Sequence, residues 1–122
     1  MASLLSLTIL GRFPSLNEYV CAERRNRYAG ASIKRKETER VKRAARTLPH
    51  VDAPVRVAFL WVEPNKRRDV DNVAFAKKFI LDGLVAAGVL DDDDPAHVRG
   101  FSDTFDYDKD APRVEVTIYE AE

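Results

Sequence analysis

The run Val55-Arg-Val-Ala-Phe-Leu-Trp-Val62 constrains the fold more than any other part of the chain. It is β-branched and aromatic and becomes apolar on both faces toward its end, the pattern of an interior strand. Ser3 to Leu10 alternates through Leu5, Leu7 and Ile9, with Gly11 and Pro14 to end it, and Val114, Val116 and Ile118 alternate in the same way. A short strand near Val98–Phe105 and a turn around Asp108–Pro112 complete the β content. From Leu16 to Leu48 the composition turns to Glu, Arg, Lys and Ala, which predicts two helices, 17–28 and 33–47, separated near Ala29-Gly30-Ala31-Ser32 with Ser32 as the second cap. The second helix has only Val41, Ala44, Ala45 and Leu48 as an apolar stripe, so one large face is left for solvent or a partner. A further helix opens at Asp69 or Asp71 and reaches about Ala87, where Gly88 stands at the stop position. The order β-α-α-β-α-β-β predicts an α/β (α+β) fold, one mixed sheet covered by helices, in a single domain over residues 1–122.

With 122 residues, 45 % apolar and 33 % charged, the chain can bury a core without disulfides or a structural metal. Cys21 has no second cysteine to pair with, and His50 and His97 are too few to complete a Cys/His zinc site. The N-terminal apolar run alternates as a strand does and lacks a positive lead-in, so neither a signal peptide nor a membrane span is expected, and the expected compartment is cytoplasmic. The formal net charge is zero, yet Arg12 to Arg46 carries +7 and Asp91 to Glu122 carries −8. Such polarisation suits a polyanion partner at the basic end, and a tail neutralising a basic face within the fold would explain it equally well.

A nucleophilic triad and a phosphate-cradling glycine loop are both unsupported by the residues present. Carboxylates are the remaining chemistry. Asp69 and Asp71 stand two apart in Arg67-Arg68-Asp69-Val70-Asp71-Asn72, a spacing that in extended chain turns both to one side. Oxygen ligands of this kind suit Mg²⁺, with Mn²⁺ as a substitute, and the plainer role of capping the next helix is compatible with that use. The run Asp91-Asp92-Asp93-Asp94 is the densest source of a third ligand, or a solvated turn. At 100° per residue along this helix Lys78 and Asp82 share a stripe with Asp71, while Lys77 borders the buried face. Either lysine could stabilise charge on a phosphate, and position favours Lys78; a solvated Lys78–Asp82 pair is the simpler reading. The basic stretch contains Arg24, Arg25, Arg27, Lys34, Arg35, Lys36, Arg40, Lys42, Arg43 and Arg46 with Tyr19 and Tyr28 interleaved, and a second basic loop holds Lys66, Arg67 and Arg68. Such residues bind nucleic-acid phosphates, and the tyrosines could stack on exposed bases, unless the helices are simply Arg-rich where they meet solvent.

Taken together, Arg68-Asp69-Val70-Asp71-Asn72, Phe75-Ala76-Lys77-Lys78-Phe79-Ile80-Leu81-Asp82-Gly83-Leu84 and Ala87-Gly88-Val89-Leu90 before acidic residues resemble the RusA-type Holliday junction resolvases, particularly their phage and prophage members. Pro14-Ser15-Leu16-Asn17 and Pro112-Arg113-Val114-Glu115-Val116 extend the resemblance over nearly the whole chain. It implies a homodimeric, Mg²⁺-dependent endodeoxyribonuclease acting on four-way DNA junctions in recombination and repair, with three aspartates and a lysine per site. Asp69 and Asp71 match the aspartate pair. Counting from Gly88 without a gap puts the third aspartate at Asp93, whereas the local Leu-Asp-Asp pattern would choose Asp92. Aligning backward from Asp82 puts the lysine at Lys78; aligning forward from Asp71 lands on Phe75 and would lose it. Asn72 follows the pair and is expected to support it. Two other readings stand beside this one: a non-catalytic branched-DNA-binding protein of the same fold with a degenerate metal site, and basic helices that bind RNA or an acidic protein while the aspartates act as caps.

Overall fold

The computed structural model describes residues 3–121. Four strands, β1 (Ser3–Leu10), β2 (Val55–Glu63), β3 (Val98–Tyr107) and β4 (Arg113–Glu120), form one sheet in the order β1-β4-β2-β3. β2 pairs antiparallel with β4 on one side and parallel with β3 on the other, so the sheet is mixed and β2 is interior, as its two-faced apolar run predicts. β1 and β4 are antiparallel, with Leu7 opposite Val116 and Ile9 opposite Val114. The parallel β2–β3 pair needs a crossover, and the helical segment between Val70 and Ala86 supplies it.

The helices lie on one sheet face. Val57, Phe59 and Trp61 of β2, Val114, Val116 and Ile118 of β4 and Ile9 of β1 meet Val41, Ala45, Phe79, Ile80 and Leu84 from the helices in one core. Full burial of a side chain the size of Phe59 contributes roughly 1.5–3 kcal/mol, which makes this face the main source of stability. On the opposite face Arg56 is exposed, and Ala58, Leu60, Thr117 and Tyr119 are half-buried.

Four helices are present among the described residues: α1 (Leu16–Arg25), α2 (Arg27–Ala45), α3 (Val70–Ala74) and α4 (Lys77–Ala86). The first break differs from the one expected. α1 and α2 meet at Asn26, in extended backbone (φ −170°, ψ 160°), whose N–H closes α1 on the Ala22 carbonyl while its Oδ1 accepts the Ala29 N–H at 2.8 Å. Ser32 is therefore inside α2 and caps nothing. Gly30, which suggested the break, serves packing: a Cβ there would stand 2.5 Å from Glu23 Cγ, so its absence lets α1 and α2 approach.

The second departure lies in the crossover. The single helix expected from Asp69 or Asp71 to Ala87 is two pieces, because Ala76 and Lys78 donate to carbonyls three residues back, Val73 and Phe75, and the chain tightens there. α4 ends as expected. Gly88 takes φ +77°, its N–H donates to the Val85 carbonyl and the Val89 N–H reaches Leu84, closing the helix in a Schellman motif.

Candidate nucleic-acid and metal site

The aspartate segment is built around two tethers. Arg68, just before it, donates from Nη1 to the Phe13 carbonyl at 2.9 Å and from Nη2 to Glu18 Oε1, and it also stands 3.9 Å from Glu63. Asn72, just after it, accepts the Asn17 N–H on Oδ1 at 3.2 Å. Both contacts run to the Phe13–Glu18 segment that opens α1, so the two stretches of sequence singled out beside each other, Pro14–Asn17 and Arg68–Asn72, are in contact. Glu63 is buried and held by Arg12 at 2.6 Å, which fixes the end of β2 from which the loop to Asp69 departs.

Asp69 and Asp71 stand between these tethers, both exposed. Asp69 occupies the N-cap position of α3 in extended backbone (φ −65°, ψ 150°), yet its carboxylate makes no cap hydrogen bond. Asp71 accepts the Asn72 N–H on Oδ1 at 3.0 Å. Because α3 begins at Val70, Asp71 lies in a helical turn. The two-residue extended spacing therefore does not describe the pair. As donors they are hard carboxylate oxygens near solvent, a set that fits Mg²⁺ or Mn²⁺ held by two carboxylates with water and substrate phosphate completing the shell.

The acidic run is not a uniform solvated turn. Asp91 lies 3.0 Å from His50 Nε2, Asp94 lies 2.5 Å from His97 Nδ1, and Asp92 accepts the Asp93 N–H at 2.8 Å. The Asp94 carboxylate beside His97 raises the imidazole above its ordinary pKa, and Asp94 itself is lowered by the same hydrogen bond. Asp93 is half-buried, with Oδ2 3.9 Å from Lys78 Nζ, whereas Asp92 is exposed. Among the described residues no group of three His, Cys, Asp or Glu side chains gathers where a cation could be shared, so Asp93 is not brought to Asp69 and Asp71.

The two lysines separate cleanly. Lys77 donates to Asp103 at 2.6 Å and lies 5.0 Å from the Phe101 ring centroid, while the other Asp103 oxygen accepts Trp61 Nε1–H at 2.9 Å. Lys77 is thus bound into the sheet edge. Lys78 is exposed, donates to Asp82 at 3.1 Å and faces Asp93. Its pKa is raised, chiefly by the Asp82 hydrogen bond, with the charges of Asp82 and Asp93 adding, so it is a cation at neutral pH. The Asp82 pairing follows from i, i+4 spacing within α4, but Asp71 is not among its ion-pair partners, because the break between α3 and α4 shifts the helical phase.

The basic surface centres on α2. Arg24, Arg25, Arg27, Lys34, Arg35, Lys36, Lys66 and Arg67 are all exposed, whereas Arg68 is only partly so and is committed to its internal partners. Arg40 also turns inward, donating to the Arg12 and Leu10 carbonyls and lying 4.2 Å from the Phe13 ring. Of the interleaved tyrosines, Tyr28 is 70 % exposed, but Tyr19 packs against Phe75 and Phe79 and is not presented to a base. Among the described residues no ion pair joins a base of Arg12–Arg46 to an acid of Asp91–Glu120. Neutralisation of one segment by the other, which would have explained the charge polarisation, does not occur through such pairs. Among the open concavities along α2, one shares Lys36 and Arg40 with Arg68 and Glu18, and another shares Lys34, Arg35 and Thr38 with Asp82.

Glu18, Asp103 and the Arg12–Glu63 pair were not singled out by sequence reasoning. For Glu18 a signal exists, since Ser15-Leu16-Asn17-Glu18 has the spacing of a capping box and forms one, with Ser15 Oγ accepting the Glu18 N–H and Glu18 Oε1 the Ser15 N–H, each at 3.2 Å. Asp103 gives no such signal, because its partners come from two other elements. Compared with models of known protein families and with curated protein sequences, the chain matches none. No helix among the described residues is long and apolar enough to cross a membrane.

Proposed function

We propose that this chain is a Mg²⁺-dependent, structure-selective endodeoxyribonuclease that nicks four-way DNA junctions, in line with its resemblance to the RusA-type resolvases. The observation that carries the reading is the state of Asp69: an aspartate at a helix N-cap position, exposed, whose carboxylate forms no cap bond. The common structural use of such a residue is not made. With Asp71 beside it, the segment offers two carboxylates to a ligand. When bound there, Mg²⁺ supplies activation of a water and neutralisation of charge at the scissile phosphate.

The chain's own residues supply the rest. The exposed bases of α1, α2 and the Lys66–Arg67 loop hold backbone phosphates, and among the described residues no ion pair ties them to the acidic C-terminal portion. Lys78, a cation paired with Asp82 and 3.9 Å from Asp93, is the residue we assign to developing phosphate charge once DNA draws it from Asp82. Asp93, half-buried against Lys78, is favoured over Asp92 as the third acid of the site. Paired nicks on strands related by a twofold axis call for two sites in that relation, which a homodimer provides.

A second reading is favoured by one observation: Asp93 does not gather with Asp69 and Asp71. On that reading the protein binds branched DNA without cutting it. Incubation with a labelled four-way junction in Mg²⁺, in EDTA and with the Asp71→Asn variant separates the two. Nicking by the wild type that disappears in both controls, with junction binding kept or strengthened in D71N, is the expected result. Tight binding by the wild type without a cut would leave the binding reading in its place.

A further inference from the structure

We propose that Glu18 is a positioning residue for Asp69 and Asp71, acting through Arg68, a role that rests on the carboxylate-pair reading above. One oxygen of Glu18 accepts both the Ser15 N–H, at 3.2 Å, and Arg68 Nη2. The same carboxylate therefore caps α1 and anchors the residue immediately before Asp69. Arg68 is further fixed by the Phe13 carbonyl at 2.9 Å, and Asn72 is fixed by the Asn17 N–H at 3.2 Å. Only residues 69 to 71 lie between the two tethers. Among the described residues neither aspartate is held by a side-chain partner from another element, so the backbone on either side sets where their carboxylates stand.

The charge of Glu18 distinguishes this role from capping. Glutamine serves a capping box as glutamate does, since either side chain can accept the N-cap N–H. Arg68, however, has both a hydrogen bond and a charge–charge attraction to a carboxylate, and a neutral amide keeps the first and loses the second. Replacing Glu18 by Gln therefore keeps the cap and loosens the anchor. Loosened support of metal-binding side chains commonly weakens metal affinity by about ten-fold or more.

The test titrates Mn²⁺ alone onto the full chain and follows free Mn²⁺ by electron paramagnetic resonance in wild type, Asp71→Asn, Glu18→Gln and Asn72→Ala. Helical content and melting temperature are recorded for each. The expected result is loss of binding in D71N and binding about ten-fold weaker in E18Q and N72A, with helical content and melting close to wild type. E18Q binding Mn²⁺ as wild type does, while D71N does not bind, would overturn the positioning role and leave the carboxylate pair standing. A wild type that binds no Mn²⁺, or a D71N that binds normally, would remove the carboxylate pair and this role with it. Should E18Q fold poorly, Arg68→Lys decides by itself, since it leaves the Glu18 cap intact and Mn²⁺ binding as in the wild type would overturn the proposal; where E18Q folds, the double variant is measured as well. If Glu18 acts through Arg68, E18Q adds little to the loss in R68K, and fully additive losses overturn the proposal.

Discussion

At the scale of single residues, the two histidines show how an acidic run becomes four different aspartates. His50 takes Asp91 and His97 takes Asp94, which leaves Asp93 to Lys78. The Asp94–His97 pair has a definite pH window. His97 is raised above its ordinary 6.5, so its stabilisation is complete below that value and is lost as pH climbs through the raised pKa. Asp94 is lowered below its ordinary 3.8, so its share is present above that value and is lost as pH falls through the lowered pKa. An NMR titration of the His97 ring should give a midpoint above 6.5 that returns toward it in Asp94→Asn; a midpoint at or below the ordinary value would contradict the pairing. Gly83 makes a separate point about packing. A Cβ there would stand 2.4 Å from Val41 Cβ, so Gly83→Ala must push α4 from α2 and should destabilise by about 1–3 kcal/mol in urea denaturation. An alanine variant as stable as wild type would mean the two helices adjust freely.

At the scale of elements, the placement of breaks decides which side chains meet. Glu, Arg, Lys and Ala between Leu16 and Leu48 specify helix, and Asn26 specifies where it is interrupted, because an Asn at an N-cap satisfies a free N–H that Gly30 cannot. Asn26→Ala removes that bond and should cost about 1 kcal/mol, read from thermal or chemical unfolding, with helical content reduced. An unchanged stability would show that packing against Glu23 alone holds the junction. The α3–α4 break was harder to read. Nothing between Asp71 and Lys78 is a strong helix breaker, and Phe75, Ala76 and Phe79 all favour burial. Phe75 and Phe79 pack on each other and both meet Tyr19, and the Tyr19 contacts form only once α1 has packed alongside. The stripe linking Asp71 to Lys78 fails for this reason, while the Lys78–Asp82 pair within α4 is formed.

At the scale of the whole molecule, a net charge of zero conceals a basic helical layer whose charge is not cancelled by ion pairs to the acidic C-terminal portion. If the exposed bases of α1 and α2 neutralise about six or more phosphates, junction binding should weaken by orders of magnitude between roughly 50 and 200 mM salt. Fluorescence anisotropy across that range checks it, and a flat response would remove the basic surface from the binding site. The strands, the mixed sheet and the helical character of the connecting segments were legible in the chain, because period-two and helical patterns are local properties that neighbours in sequence impose on each other. So were the residue types at the candidate site. Which residues meet was a different matter. Arg68 reaches Glu18, Lys77 reaches Asp103 and Asp93 faces Lys78 across 50, 26 and 15 positions of sequence, and no local pattern carries those distances. Packing of α1 and the sheet edge around the crossover selects those partners, because a charged side chain leaving water takes the nearest opposite charge that the fold presents.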